Sequence, residues 1–229
     1  MSHIQIAVDG PSGAGKSSLS KAVAKRLGII YVDTGALYRT VGFFARSRGI
    51  SLDDIANVIP LLGECTVEVR YENGVQNVYL NGENLGDRIR ENEISMYASA
   101  VGKLPPVRAF LLETQKKIAR ENSVIMDGRD IGTVILPDAP VKIFMTASNE
   151  ARAMRRVKEL AEKGMPADYE TVLTDMIARD AQDRERDVAP CVPADDAVVL
   201  DNSDLDFDQS VDAIISVVET TLSGKGLSL

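Results

Sequence analysis

Short apolar runs alternate along this chain with longer segments of helical periodicity. The apolar runs are rich in β-branched residues and begin at Ile4, Ile29, Val124, Val141 and Ala197. Continuous runs of this kind are typical of strands buried in a parallel sheet, and apolar positions three or four residues apart predict the helices between them. The pattern therefore predicts an α/β fold with a five-stranded parallel sheet flanked by helices.

A different pattern occupies the second quarter of the chain. Residues 66–71 and 76–80 alternate apolar and polar positions, with turn-forming residues at 72–74 and 81–82. This alternation predicts a small antiparallel unit, for which 83–85 is a candidate third strand. Helical patterns precede and follow this unit, at 52–62, 89–101 and 107–120. We therefore predict an inserted subdomain at 61–100, within a core formed by 1–60 and 101–229.

Two helices rich in charge are predicted near the C-terminal end. The first carries three arginines on one face: Arg152, Arg155 and Arg156. The second, at 169–187, carries Arg179, Asp183 and Arg186 on one face. Solvated helices with surface ion pairs give the same pattern. The alternative is a lid at about 150–187, hinged at the Gly-Pro break in 163–166, whose arginines cover a phosphate group.

One loop carries a specific motif. Gly10-Pro11-Ser12-Gly13-Ala14-Gly15-Lys16-Ser17 matches the pattern G-x-x-x-x-G-K-[ST] between a predicted strand and a predicted helix. In this context backbone N–H groups surround phosphate oxygens, the lysine reaches the terminal phosphates and the serine hydroxyl joins the shell of a magnesium ion. A glycine-rich turn that binds nothing is the alternative. The motif and its context favour a nucleoside triphosphate site.

Two further segments are candidates for a binding site. Thr34 is the predicted N-cap of a helix that continues to about Ser47. Thr34, Tyr38 and Arg39 can converge near the start of this helix, although a capping threonine with a surface arginine gives the same pattern. Asp127 ends a buried strand, and the charged loop 128–133 follows it. Ligands of parallel α/β proteins bind at this edge of the sheet. The second segment therefore favours function over a solvated loop.

Composition and charge exclude several classes of function. The 229 residues are 45% hydrophobic and 26% charged, and their formal net charge of −8 argues against a polynucleotide-binding surface. One histidine and two distant cysteines exclude imidazole metal clusters, Ser-His-Asp catalysis and a disulfide framework. No apolar segment is long enough to span a membrane, and the chain begins directly with a strand. We expect a soluble, cytoplasmic protein.

Four segments together resemble bacterial cytidylate kinases: 9–18 (DGPSGAGKSS), 33–39 (DTGALYR), 127–133 (DGRDIGT) and 179–186 (RDxxDRxR). The resemblance runs in order from Ile4 to about Leu222. It departs from the family's frequent pattern at Ser18 and Thr34, which both keep a hydroxyl. The resemblance implies the P-loop nucleoside monophosphate kinase fold. It also implies a monomeric enzyme that transfers the γ-phosphoryl group of ATP to CMP or dCMP with Mg²⁺.

The resemblance further implies roles for individual residues. ATP would be held by Gly10, Pro11, Ser12, Gly13, Ala14, Gly15, Lys16, Ser17 and Ser18, with magnesium on Ser17 and, through water, on Asp127. CMP would be bound by Thr34, Tyr38, Arg39, Ser99, Arg108, Arg129, Asp130, Arg179, Asp183 and Arg186. Phosphoryl transfer would be assisted by Lys16, Arg129, Arg155, Arg156, Arg179 and Arg186, and Arg152 would belong to the lid. Asp130 would favour cytosine over uracil, because a carboxylate accepts from the exocyclic amine.

Three alternatives share the phosphate loop. A shikimate- or gluconate-type kinase would need a different acceptor pocket, and segments 34–39 and 179–186 count against it. A GTPase-like switch should carry N-K-x-D, which this chain lacks. An inactive nucleotide-binding module should have lost Lys16 or the arginines, and all of them are present.

Overall fold

The computed structural model describes residues 3–72, 75–162 and 164–229. In chain order the elements are β1 (Gln5–Asp9), α1 (Lys16–Leu27), β2 (Ile30–Asp33), α2 (Thr34–Ser47), β3 (Val67–Glu72), β4 (Val75–Leu80), β5 (Glu83–Asn84), α3 (Asn92–Val101), α4 (Pro105–Glu121), β6 (Val124–Asp127), β7 (Val141–Thr146), α5 (Asn149–Glu162), α6 (Tyr169–Glu185), β8 (Val198–Asp201) and α7 (Phe207–Gly224). One sheet has five strands in the order β2-β6-β1-β7-β8, and a second sheet has the order β3-β4-β5. The chain forms two compact units: residues 1–29 with 123–229 (unit 1), and residues 30–122 (unit 2).

Unit 1 is built on the centre of the large sheet. Strand β1 pairs in parallel with β6 on one side and β7 on the other, and β7 pairs in parallel with β8. Ile6, Ala7 and Val8 are buried one after another, although successive residues of a strand face opposite sides of the sheet. Helix α1 packs against β1 and β6, and α7 packs against β7 and α1. Burial on both faces explains why these strands read as continuous apolar runs. The predicted fold class, a five-stranded parallel sheet flanked by helices with a separate antiparallel sheet, is confirmed.

A buried carboxylate fixes the loop after β6 to the end of β1. The Oδ1 atom of Asp9 accepts from the N–H of Ile131 at 2.8 Å, and Oδ2 accepts from the N–H of Gly132 at 2.7 Å. The segment Ile131–Ile135 is a single π-helical turn. Burial raises the pKa of Asp9 from 3.8 to about 6, although both hydrogen bonds act in the opposite direction.

Unit 2 contains the small sheet and three α-helices. Strand β3 pairs with β4 in antiparallel register, and β5 completes the sheet, so the predicted antiparallel unit with its third strand is confirmed. The predicted turn residues at 73–74 lie outside the described residues. The predicted insert, 61–100, falls inside unit 2, and its boundaries stay a prediction.

The helical pattern at 52–62 gives a different helix from the one expected. Residues Ile55–Glu64 form a 3₁₀ helix with Pro60 inside it. Proline has no N–H and clashes with the preceding turn of an α-helix. The proline pair at 105–106 is instead compatible with an α-helix. Helix α4 begins at Pro105, where a missing N–H needs no partner.

Helices α2 and α3 approach closely at a glycine. A Cβ on Gly42 would lie 2.9 Å from the backbone nitrogen of Ala98 and 3.0 Å from the Cβ of Tyr97. Phe44 and Ile94 are fully buried in the surrounding core. The absence of a side chain at position 42 therefore sets the distance between the two helices.

We predict that Gly42→Ala destabilises the protein by about 1–3 kcal/mol, because the methyl group overlaps backbone atoms that cannot move aside. Urea unfolding measures the difference. Gly63→Ala is the matched control, since nothing lies within 4 Å of a Cβ at that position. Equal stability of both variants would contradict the close approach.

We also predict a pH dependence that originates at Asp9. Because the folded pKa of about 6 exceeds the ordinary value of 3.8, the folded state takes up its proton first as the pH falls. Between pH 7 and pH 5 the free energy of unfolding should rise by about 1 kcal/mol relative to Asp9→Asn, which has no proton to bind. Urea titrations of both proteins at the two pH values test this, and a constant difference would refute the assignment.

Candidate active site

The phosphate-loop motif occupies the turn between β1 and α1, as predicted. Two of its glycines have left-handed backbones, Gly13 with φ 76° and Gly15 with φ 84°. At Gly10 a Cβ would lie 2.0 Å from the carbonyl oxygen of Met145 in β7. Only a residue without a side chain fits there. The loop is therefore held against the sheet at its first glycine and enters α1 at Gly15.

Three carbonyl groups of this loop accept hydrogen bonds from side chains. Lys16 Nζ donates to the carbonyl of Pro11 at 2.7 Å. Arg152 Nη1 donates to the carbonyl of Ser12 at 2.8 Å, and Asn202 Nδ2 donates to the carbonyl of Ala14 at 3.1 Å. The loop thus has its carbonyl oxygens bound by the surrounding protein.

Two cations of unit 1, Lys16 and Arg179, hold their charge less readily than usual. Burial and the charge of Arg129 lower the pKa of Lys16 below its ordinary value. Desolvation, followed by the charge of Arg129, likewise lowers the pKa of Arg179, although this residue keeps solvent exposure. A nearby anion favours the charged form of such groups. The arrangement suits a group with several negative charges, such as a polyphosphate.

Two side-chain oxygens that could bind a metal ion meet where α1 begins and β6 ends. Ser17 Oγ donates to Asp127 Oδ2 at 2.7 Å, which joins the first turn of the helix to the end of β6. Among the described residues no group of three His, Cys, Asp or Glu side chains could hold a metal ion. Magnesium keeps several waters and takes one or two protein oxygens together with substrate phosphates. The pair therefore fits magnesium that is bound together with the phosphates of a nucleotide.

The charged loop after β6 and helix α6 share a group of ion pairs. Arg129 Nε donates to Asp183 Oδ2 at 3.0 Å. Arg186 lies 3.9 Å from Asp130 and 3.9 Å from Asp183. Four of the predicted acceptor residues, Arg129, Asp130, Asp183 and Arg186, are thus neighbours within unit 1.

The three arginines of α5 have different environments. Arg152 is 3% exposed and pairs with Asp180 at 2.5 Å. Arg155 donates to the carbonyl and the side chain of Asn202 at 2.7 and 3.1 Å. Arg156 is more exposed and pairs with Glu159 at 2.8 Å. The common face predicted from their spacing therefore does not give them a common role.

The predicted helix cap at Thr34 is wrong. Asp33 is the N-cap residue of α2, with an extended backbone and a carboxylate that accepts from the N–H of Ala36 at 2.9 Å. Thr34 is the first helical residue and is 3% exposed. Asp33 also accepts from Arg39 Nη2 at 2.8 Å. A charged acceptor one residue earlier, favoured by the positive end of the helix, outcompetes the threonine hydroxyl.

Of the other candidates of unit 2, Arg108 lies beside Tyr38. The guanidinium carbon of Arg108 is 5.5 Å from the centre of the Tyr38 ring, and Arg108 Nη1 donates to the carbonyl of Gly102 at 3.2 Å. Ser99 is half-buried in α3. Sequence spacing gave no reason to connect Arg108 with Tyr38, because their proximity depends on the packing of unit 2.

Three residues near the loop were not singled out from the sequence. Asn202 follows β8 directly and is 1% exposed, and its place after a strand at the ligand-binding edge was a usable signal. Asp180 belongs to the alternating charges of α6. Burial raises the pKa of Cys191, whose N–H donates to the carbonyl of Asp183 at 2.8 Å. For Cys191 no sequence signal was available.

Within the described part of the chain, no helix has the length and apolar content required to cross a bilayer.

Comparison with known proteins agrees with this geometry. Among solved structures, an uncharacterized protein from Eubacterium ventriosum has a TM-score of 0.51 at 14% identity over 95% of this chain and 99% of that one, which concerns the fold alone. A cytidylate kinase from Thermosipho melanesiensis is 46% identical over 215 residues, 94% of this chain and 96% of that protein. One from Leuconostoc mesenteroides is 41% identical over 223 residues, 97% of this chain and all of that protein (100%). The family model described as cytidylate kinase matches residues 6–220. This chain therefore belongs to the cytidylate kinase family.

Proposed function

We propose that this protein transfers the γ-phosphoryl group of ATP to CMP or dCMP, giving ADP and CDP or dCDP. Family membership over residues 6–220 supports the reaction. The observation that carries it is a phosphate loop with a buried lysine, whose pKa is lowered by burial and by the charge of Arg129. The phosphates of ATP favour the charged form of this lysine.

The loop from Gly10 to Ser18 binds ATP in this proposal. Backbone N–H groups of the loop and the positive end of α1 face the phosphates. Lys16 leaves the carbonyl of Pro11, to which it donates at 2.7 Å, and moves to the phosphate oxygens. It then neutralises charge on the group that is transferred.

Magnesium accompanies ATP. Ser17 is the direct ligand, and Asp127, which accepts from Ser17 at 2.7 Å, acts through water. When bound, the ion neutralises charge on the phosphate oxygens of ATP. Asp127 orients both the serine hydroxyl and the water molecules around it.

The acceptor CMP is assigned to the residues that the family resemblance implies. These are Thr34, Tyr38, Arg39, Ser99, Arg108, Arg129, Asp130, Arg179, Asp183 and Arg186. Asp130 accepts from the exocyclic amine of cytosine and rejects the carbonyl of uracil. The 4% exposure of Asp130 supports this role, because a carboxylate buried at the site strongly prefers a ligand group that can donate to it.

Charge neutralisation and positioning account for catalysis. Phosphoryl transfer has a loose transition state, so a catalytic histidine is not required. We assign the neutralising charges to Lys16 and to five arginines: Arg129, Arg155, Arg156, Arg179 and Arg186. Segment 61–100 grips the acceptor and segment 150–187 is the lid, which excludes the water that would otherwise hydrolyse ATP. We further propose that the enzyme is a cytoplasmic monomer that binds no polynucleotide or membrane.

The first prediction of this proposal concerns Lys16. Lys16→Met keeps the apolar stem and removes the charge, so ADP formation with CMP should fall by about a hundredfold or more while stability is retained. A coupled assay of ADP formation measures it.

Lys142→Met is the matched control for Lys16→Met. Lys142 is also buried, at 8% exposure, but it pairs with Asp196 at 2.7 Å. This variant should keep wild-type turnover. Full activity of Lys16→Met would refute the proposed role of the lysine.

The second prediction concerns the acceptor. The wild type should form ADP rapidly with CMP and dCMP, and slowly with UMP, with AMP or without an acceptor. In Asp130→Asn the ratio of kcat/KM for CMP to that for UMP should fall by about tenfold or more, because an amide can also donate to uracil. Equal ADP release without an acceptor would instead indicate an ATPase or a switch.

A further inference from the structure

The peptide groups that precede Gly13 and Gly15 in the phosphate loop can rotate unless other residues of the protein hold them. Gly13 and Gly15 have left-handed backbones, and glycine populates several backbone regions at similar cost. A flipped peptide would point a carbonyl oxygen at the phosphates instead of an N–H. The orientation of these peptides therefore matters for any anion that the loop binds.

We propose that Arg152 and Asn202 are positioning residues that hold two peptide groups of the phosphate loop with their N–H groups turned toward ATP. The inference rests on the proposed ATP site. Arg152, which the sequence placed in the lid over the transferred phosphoryl group, instead positions the loop. Asn202, which had no predicted role, positions the loop as well.

Arg152 fixes the peptide between Ser12 and Gly13. Its Nη1 donates to the carbonyl of Ser12 at 2.8 Å and to Asp180 at 2.5 Å. Its Nε donates to the carbonyl of Ala147 at 3.1 Å. The guanidinium is 3% exposed and is bound to these three acceptors. It therefore holds the Ser12 carbonyl in one direction.

Asn202 fixes the peptide between Ala14 and Gly15. Its Nδ2 donates to the carbonyl of Ala14 at 3.1 Å, and its Oδ1 accepts from Arg155 at 3.1 Å. Because Arg155 only donates and the Ala14 carbonyl only accepts, the side-chain amide has one satisfactory orientation. The backbone N–H of Asn202 donates to the carbonyl of Thr146 at 3.0 Å, which anchors the residue to the end of β7.

The consequence follows from the planarity of the trans peptide bond, in which C=O and the following N–H point in opposite directions. Holding the Ser12 carbonyl outward turns the N–H of Gly13 inward. Holding the Ala14 carbonyl outward does the same for the N–H of Gly15. Donors set in place before the ligand arrives need no reorganisation when it binds.

The sharpest test is Asn202→Asp. A carboxylate keeps the size of the side chain and its acceptor for Arg155, but it loses the N–H that holds Ala14. Asn122→Asp is the matched control, because Asn122 Nδ2 also donates to a backbone carbonyl, that of Ile118 at 3.0 Å, in unit 2. Calorimetry with ATP and with inorganic tripolyphosphate, together with KM for ATP and for CMP, gives the readout.

We expect the dissociation constants of Asn202→Asp for ATP and for tripolyphosphate to rise together by about tenfold or more. The N–H of Gly15 would no longer be held toward the phosphates, and a hydrogen bond to a charged group contributes about this much. KM for CMP and the urea midpoint should stay at the values of the Asn122→Asp control. A parallel loss for tripolyphosphate, which has no base or sugar, localises the effect to phosphate binding. A similar loss in the paired Arg152 variant, which adds no net charge, separates the loss of the holding donor from the repulsion by the new aspartate.

Arg152 is tested with a paired substitution. Arg152→Met combined with Asp180→Asn removes the holding donor without leaving a buried charge unpaired. It should weaken ATP and tripolyphosphate binding to a similar extent, and Arg152→Lys should restore part of the affinity.

Wild-type affinity for both ligands in folded Asn202→Asp, or in the folded paired variant, would overturn the inference. If the wild type itself bound neither ATP nor tripolyphosphate, the proposed function would fail and this inference with it. The two failures are therefore distinguishable.

Discussion

The parallel pairing of β1 with its two neighbours is the constraint on which the candidate site in unit 1 depends. Parallel strands all end at the same edge of a sheet. The phosphate loop follows β1 and therefore lies at the same edge as the ends of β6 and β8. There Asp127 contacts Ser17, and Asn202 contacts Ala14. Gly10 completes the arrangement, because its missing side chain lets the loop lie against the backbone of β7.

Local charge, and not net charge, decides what this edge can bind. The chain carries an excess of eight negative charges, yet burial and the charge of Arg129 lower the pKa values of Lys16 and Arg179. Other arginines of unit 1 have carboxylate partners, as Arg129 has in Asp183 and Arg152 has in Asp180. An anion at the loop would therefore favour the charged forms of Lys16 and Arg179.

Sequence patterns predicted the features that depend on neighbours along the chain. Strand periodicity, the strand–loop–helix context of the motif and the antiparallel unit are all local, and each agrees with the structure. The remaining features depend on contacts that the pattern does not show. Asp33 replaces Thr34 as the helix cap, and Pro60 accompanies 3₁₀ geometry where a regular helix was expected. The three arginines that share one face of α5 have three different environments. Asn202 carries no motif, because its importance arises only when β8 lies beside β7.

The depressed pKa of Lys16 has a thermodynamic consequence for ligand uptake. Burial and the charge of Arg129 disfavour the charged form of this lysine, and a bound anion favours it again, so nucleotide binding at the proposed site and proton binding are linked. Formation of the complex is accompanied by proton uptake. The measured heat of binding then depends on the ionisation enthalpy of the buffer, and the affinity decreases as the solution becomes more alkaline. In this protein the phosphate loop is therefore also a coupling point between nucleotide occupancy and the acidity of its surroundings.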